Sequence, residues 1–180
     1  MKKTRRSVVS APRRGTVRTG AVGRPQVQHR RTSMGASDRK HRILVAEDDP
    51  TNQYVFRAIL EAAGHETVVV DNGLQALETA RDAPPDLFLM DMMMPVMDGY
   101  ETAWRIIQDS LFDEVPIIAL TARAMDGDAE RTLRAGCDDY LAKPIRRQEF
   151  LDKVSYWLER PSSEWMPGRL ARRVPQRESA

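Results

Sequence analysis

Cysteine is almost absent from this 180-residue chain. Cys137 stands alone, so no intrachain disulfide can form and nothing points to an oxidising compartment. Long apolar runs are missing too. None approaches the roughly 18 residues of a membrane span, and the basic start lacks the apolar stretch of a secretory signal. These absences describe a soluble, cytoplasmic protein. Acid is scarce at the N-terminus, where Asp38 is the one carboxylate in residues 1–40. That segment carries a formal charge of +11, residues 41–160 carry −11 and residues 161–180 carry +2, which together give the modest total of +2.

Residues 1–40 show no hydrophobic periodicity and are rich in Arg, Ser, Thr, Gly and Pro. Such a segment cannot bury enough apolar surface to offset its ordering entropy, so a basic, disordered N-terminal extension is expected. It can be read as an arm for nucleic acid or acidic surfaces. It can also be read as an Arg-rich transit peptide, although Pro12, Gly15, Gly20, Gly23 and Pro25 oppose an amphipathic helix. A third reading is a solvated tail without a role, or an over-long reading frame with Met34 as the true start.

From Arg42 the pattern changes. Ile43–Ala46, Thr67–Val70, Asp86–Asp91, Val115–Leu120 and Tyr140–Ala142 are short apolar runs bounded by turn residues. They read as strands, and the run before Asp91 lacks polar alternation, as a strand buried on both faces does. Between them, apolar residues recur at helical spacing. Val55, Phe56, Ile59, Leu60 and Ala63 are followed by Gly64 as a helix stop, and a last helix carries Phe150, Leu151, Val154, Trp157 and Leu158. Five strands alternating with five helices imply an α/β fold over residues 41–160, with a parallel sheet and helices on both faces. Residues 161–180 read as a disordered C-terminal tail, although Trp165 and Leu170 could dock.

In a parallel sheet all strands end on one edge. Glu47 and Asp48 end the first strand, Asp91 the third and Thr121 the fourth, and Lys143 follows the fifth. Open α/β sheets place their chemistry on that edge. Three carboxylates about 5 Å apart repel by on the order of 3 kcal/mol per pair at an effective dielectric near 20. One lysine is too little charge to offset this, so a divalent cation is implied. An all-oxygen site suits Mg²⁺ or Mn²⁺. Metal, ammonium, hydroxyl and carboxylate together form a phosphoryl-transfer constellation in which a carboxylate oxygen attacks.

These pieces resemble the receiver domain of two-component response regulators (CheY-like). The matching residues are Ile43-Leu44-Val45-Ala46-Glu47-Asp48, Met90 to Gly99 with its Asp-x-x-Met-Pro-x-Met-Asp-Gly pattern, Ala119-Leu120-Thr121-Ala122, and Asp138 to Pro144. Asn52-Gln53 further resembles the receivers of hybrid histidine kinases. The resemblance implies a flavodoxin-like (βα)5 sandwich with strand order 2-1-3-4-5. It implies that Asp91 accepts a phosphoryl group from a histidine kinase or a His-containing phosphotransfer protein. Mg²⁺ would be held by Asp48, Asp91 and the backbone carbonyl of Met93, with Glu47 acting largely through water and Asp49 least involved. Lys143 would pair with the acceptor, and Thr121 and Tyr140 would move as switch residues, reshaping a surface that partners read. Met93 and Arg123 flank the path of the hydrolytic water.

Each feature also has a plainer reading. Met92–Met94 can be packing and loop filler, Cys137 a small buried residue, Trp104 and Trp157 helix core or rim, and Tyr140 core. The functional expectation is a single-domain regulator that signals through a downstream protein and is no conventional enzyme. A nucleic-acid regulator using the Arg-rich arm and a phosphate sink are the alternatives.

Overall fold

A computed structural model describes residues 40–122 and 128–173. The expectations placed on residues 1–39 and on Arg123 lie outside the described residues. Five parallel strands, β1 (Arg42–Ala46), β2 (Glu66–Val70), β3 (Leu87–Asp91), β4 (Ile117–Thr121) and β5 (Asp139–Ala142), form one sheet in the order β2-β1-β3-β4-β5. The helices are α1 (Pro50–Ala62), α2 (Gly73–Asp82), α3 (Gly99–Gln108), α4 (Asp128–Ala135), α5 (Arg147–Glu159) and α6 (Ser162–Arg172). The flavodoxin-like order expected above is the order observed.

Alternate residues of each strand face opposite sides of the sheet, and the core divides accordingly. Leu44, Phe88, Met90 and Ala119 join Ala76 and Leu77 of α2 and Ala103, Ile106 and Ile107 of α3. Ile43, Val45, Leu89, Ile118 and Leu120 join Phe56 and Leu60 of α1 and Phe150, Val154 and Trp157 of α5. Burial of each of the larger side chains among these, Val, Leu, Ile, Phe and Met, contributes about 1.5–3 kcal/mol relative to exposure. A one-residue slip of any central strand would exchange these two sets, so the register is strongly specified.

Local chemistry sets the helix ends. The Asp49 carboxylate accepts the backbone N–H groups of Thr51 (2.8 Å) and Asn52 (3.0 Å) and caps α1, while Pro50 occupies its first turn. At the other end Gly64 takes φ +90°, its N–H bonds to Glu61 O and the His65 N–H reaches Leu60 O, which satisfies two orphan carbonyls. Asp98 caps α3 through Glu101 N at 2.8 Å. Gly99 must be glycine because a Cβ there would lie 2.2 Å from the Asp91 carbonyl oxygen.

The disordered tail expected at 161–180 requires correction over the residues described. Ser162–Arg172 is helical, with Trp165 and Arg169 buried. Pro167 and Gly168 lower the propensity of this segment, but tertiary contacts override it. Trp165 packs edge-on against Trp157 of α5, with ring centroids 5.9 Å apart. A short 3-10 turn at Ser110–Phe112, ahead of β4, was also not foreseen.

Candidate functional site: an acidic cluster with one lysine

The strand order reverses direction between β1 and β3, and that crevice at the carboxyl edge is where α/β sheets bind ligands. Glu47 and Asp48 follow β1, and Asp91 ends β3. One carboxylate oxygen from each lies within 4.8 Å of the others. On the neighbouring strands, Thr121 ends β4 opposite Ala142, and the Lys143 N–H donates to Thr121 O at 2.7 Å, which fixes where the lysine leaves the sheet. The Lys143–Pro144 peptide bond is cis.

The lysine reaches back across the edge. Its Nζ donates to Glu47 Oε2 at 2.8 Å and to Asp91 Oδ2 at 2.5 Å. Asp91 is anchored a second time, because its Oδ1 accepts the Met93 N–H at 2.9 Å. Glu47 is 1% exposed and accepts Asn52 Nδ2 at 2.9 Å. Gln53 Nε2 donates to Glu47 O (2.7 Å) and to Asp71 Oδ1 (2.8 Å), tying α1 to the loops after β1 and β2. Sequence reasoning singled out Asn52 and Gln53 only through resemblance; their spacing of five and six residues from Glu47, on the first turns of a helix, is the physical signal.

Electrostatics at the edge follow from this packing. Burial pushes Glu47 above the usual carboxylate range, and the negative charge of Asp91 acts in the same sense. Hydrogen bonds from Lys143 and Asn52 pull in the opposite direction without cancelling the rise. Burial works against the Lys143 ammonium, but its hydrogen bonds to Asp91 and Glu47 more than offset that, so Lys143 stays protonated to higher pH than an ordinary lysine. Asp49 is held below its usual range, chiefly by the Asn52 N–H, and it faces its helix.

Of the residues named from the sequence, Glu47, Asp48, Asp91 and Lys143 come together directly, and Thr121 is buried at the adjoining strand end. Met93 places its N–H on Asp91 while its side chain is 70% exposed, whereas Met92 and Met94 are buried. Tyr140 is half-buried against the α2–α3 side of the core, beneath Lys153, whose Nζ lies 5.7 Å from the ring centroid. The oxygen-only donor set and its surplus negative charge fit Mg²⁺. Asp48 is exposed, so a cation would have access from solvent. Beyond the acids, the chain turns sharply. Val96 has φ +68° and Met97 N–H bonds to Pro95 O at 2.7 Å, a strained three-residue turn for a β-branched side chain.

Fold and acidic edge together define a receiver. The family model described as "Response regulator receiver domain" matches residues 43–155, and the chain belongs to that family, whose members act in two-component signalling. Among its relatives is the polar-differentiation response regulator DivK of Brucella anthropi, 40% identical over 116 residues, which cover 64% of this chain and 94% of that one. The receiver domain of the sensor histidine kinase PA1611 from Pseudomonas aeruginosa, with a magnesium ion coordinated in its active-site cleft, is 40% identical. It covers 72% of this chain and 99% of its own, with a TM-score of 0.61. The receiver of Ssk1 from Saccharomyces cerevisiae, solved together with the histidine phosphotransfer protein Ypd1, is 28% identical. It covers 66% and 88%, with a TM-score of 0.62. The acidic cluster could hold a metal. Among the described residues, no helix is long and apolar enough to cross a membrane.

Proposed function

We propose that this protein is a phosphoryl-accepting switch in which Asp91 takes a phosphoryl group from a phosphohistidine donor, a histidine kinase or a His-containing phosphotransfer protein. The observation that carries this reading is the Lys143 ammonium held between Glu47 and Asp91, with Asp48 at the same edge. The relative crystallised with a phosphotransfer protein and the relative with magnesium in its cleft lend support.

Asp91 presents one oxygen to Lys143 and the other to the Met93 N–H, so the carboxylate is oriented before a donor arrives. An Asp91 oxygen attacks phosphorus; the P–O bond forms as the P–N bond of the donor breaks, and that electron pair returns to the donor's ring nitrogen. Asp48, Asp91 and the Met93 carbonyl would hold Mg²⁺, with Glu47 acting through water, and the cation when bound supplies positive charge to the phosphoryl oxygens. Lys143 exchanges its hold on Asp91 for a phosphoryl oxygen, and Thr121 donates its hydroxyl to another. A phosphoryl group adds roughly −1.5 to −2 of charge, and its contacts to Lys143 and Thr121 supply the differential energy that moves Thr121 and Tyr140.

The chain then acts in the cytoplasm by presenting an altered surface to a protein partner. Its chemistry is confined to its own phosphorylation and dephosphorylation, so it is a switch and not a turnover enzyme. Incubation with a small-molecule phosphodonor and Mg²⁺ should give a hydroxylamine-sensitive label. Asp91→Asn should abolish it. Labelling of that variant at the wild-type rate would show that the acceptor lies elsewhere.

A further inference from the structure

Arg169 is a buried charge far from the acidic edge, and nothing in phosphoryl acceptance explains it. It is fully buried on α6 and makes a short, bidentate ion pair with Asp138, whose side chain is 2% exposed. Its Nη1 also donates to Phe112 O (2.9 Å) and Val115 O (2.6 Å). The indole of Trp165 stacks on the guanidinium, with Cζ 4.7 Å from the ring centroid. Placing an arginine here costs several kcal/mol in desolvation, and such pairs are weak evidence for stability alone.

The partners of Arg169 share a location. Phe112 and Val115 lead into β4, and Asp138 leads into β5. Asp138 Oδ2 accepts the N–H of Ile117, the first residue of β4, at 2.9 Å, and its own N–H returns to Ile117 O at 2.8 Å. One guanidinium therefore pins the starts of the two strands whose far ends lead to Thr121 and Lys143, and Tyr140 is the second residue of β5, close to the pinned end. A second line of contact runs through the rings. Trp165 packs on Trp157, whose Nε1 donates to Asp139 Oδ2 at 2.8 Å. Lys153 bridges Asp139 Oδ1 (2.8 Å) and the carbonyl of Tyr140 itself (2.9 Å).

The geometry points to α6 as a clamp in which Arg169 acts as a positioning residue, holding β4 and β5 in the arrangement of the unmodified protein, so that docking of α6 and modification of Asp91 oppose each other. This inference rests on the reading of Asp91 as phosphoacceptor and adds its regulation. By linkage, whatever the clamp takes from phosphoryl affinity, modification takes from α6 docking by the same factor. The coupling is carried by a two-state element that both ends bias, here the β4–β5 pair.

The test uses the full chain with Mg²⁺ and beryllofluoride as the phosphoryl mimic. In the wild-type protein, saturating beryllofluoride should speed amide exchange across Ser162–Arg172. Arg169→Ala should lower the half-saturating beryllofluoride concentration, read from β4 and β5 amide shifts, by on the order of tenfold. Trp165→Ala, which keeps the ion pair and so guards against a misfolded first variant, should shift it in the same direction, and Arg169→Lys should recover part of the wild-type value. A lower melting temperature with unchanged half-saturation in both variants, or wild-type α6 exchange indifferent to the mimic, overturns the inference. Failure of the wild-type chain to bind beryllofluoride at all would overturn the reading of Asp91 and this inference with it.

Discussion

Gly99→Ala tests how tightly the fold is drawn around Asp91. The added methyl would sit 2.2 Å from Asp91 O and 2.7 Å from Met92 Cα, both main-chain atoms that cannot rotate away. Ordinary contact begins at 3.4 Å, so the first turn of α3 must retreat by about 1 Å from the end of β3. One effect favours the substitution: the unfolded chain loses conformational entropy, which is also the main source of alanine's helix propensity over glycine, and this contributes about 0.4–1 kcal/mol. Against it stand overpacking, about 1–3 kcal/mol or more, the Gly99 N–H bond to Met92 O at 3.3 Å, and displacement of the Asp98 cap. The steric side should win, giving a net loss of about 2 kcal/mol by urea unfolding with unchanged m-value. Because the retreat drags the Asp91 loop, phosphorylation by a small donor should also slow by on the order of tenfold or more. Gly64→Ala is the control: its Cβ would meet nothing, although φ +90° still strains it, so stability should fall with no change in phosphorylation rate. Wild-type stability and rate in Gly99→Ala would show that α3 does not bear on β3 as described.

His65 gives a pH dependence of definite sign. Burial, and then the neighbouring His41, hold its pKa below 6.5, with Asp86 opposing. The unfolded chain therefore binds the proton first, so stability is fully present above about pH 6.5 and is lost as pH falls through the folded-state value. His65→Gln should flatten the urea midpoint between pH 7 and 5, and an unchanged slope would contradict the assignment. Cys137 behaves oppositely. Burial, reinforced by Asp138, pushes its thiol up to about 12, so its share of stability holds below pH 9 and declines as pH climbs toward that value. A thiol reagent at pH 8 should modify Cys137 only as fast as the native structure opens; rapid labelling of the native chain would refute its burial.

Most of the sheet was legible because each central strand is an uninterrupted apolar run ending in a polar residue, a pattern that marks both element and edge. The acidic site was legible for the same reason: parallel strands force Glu47, Asp91 and Thr121 onto one side whatever the loops do. Asp49 was set apart from Glu47 and Asp48 only by resemblance, since three consecutive acids look equivalent in sequence; the physical reason is that its carboxylate caps α1. Arg169 and α6 were hidden because the signal for that helix is tertiary. Trp165, Met166, Arg169 and Leu170 do recur at helical spacing, but Pro167 and Gly168 mask the pattern. Asp138, two residues past Gly136, reads as a loop acid until its arginine is known.

The parallel arrangement has a practical consequence for anyone handling this molecule. The polypeptide enters β1 at Arg42, and α6 is fastened beside Phe112, Val115 and Asp138, all of which precede strands. Both attachment points of the described domain therefore lie on the rim of the sheet remote from Asp91. A fluorophore, affinity handle or surface tether joined at residue 40 or 173 starts from the back of the molecule and leaves the acidic edge formed by Glu47, Asp48 and Asp91 unobstructed.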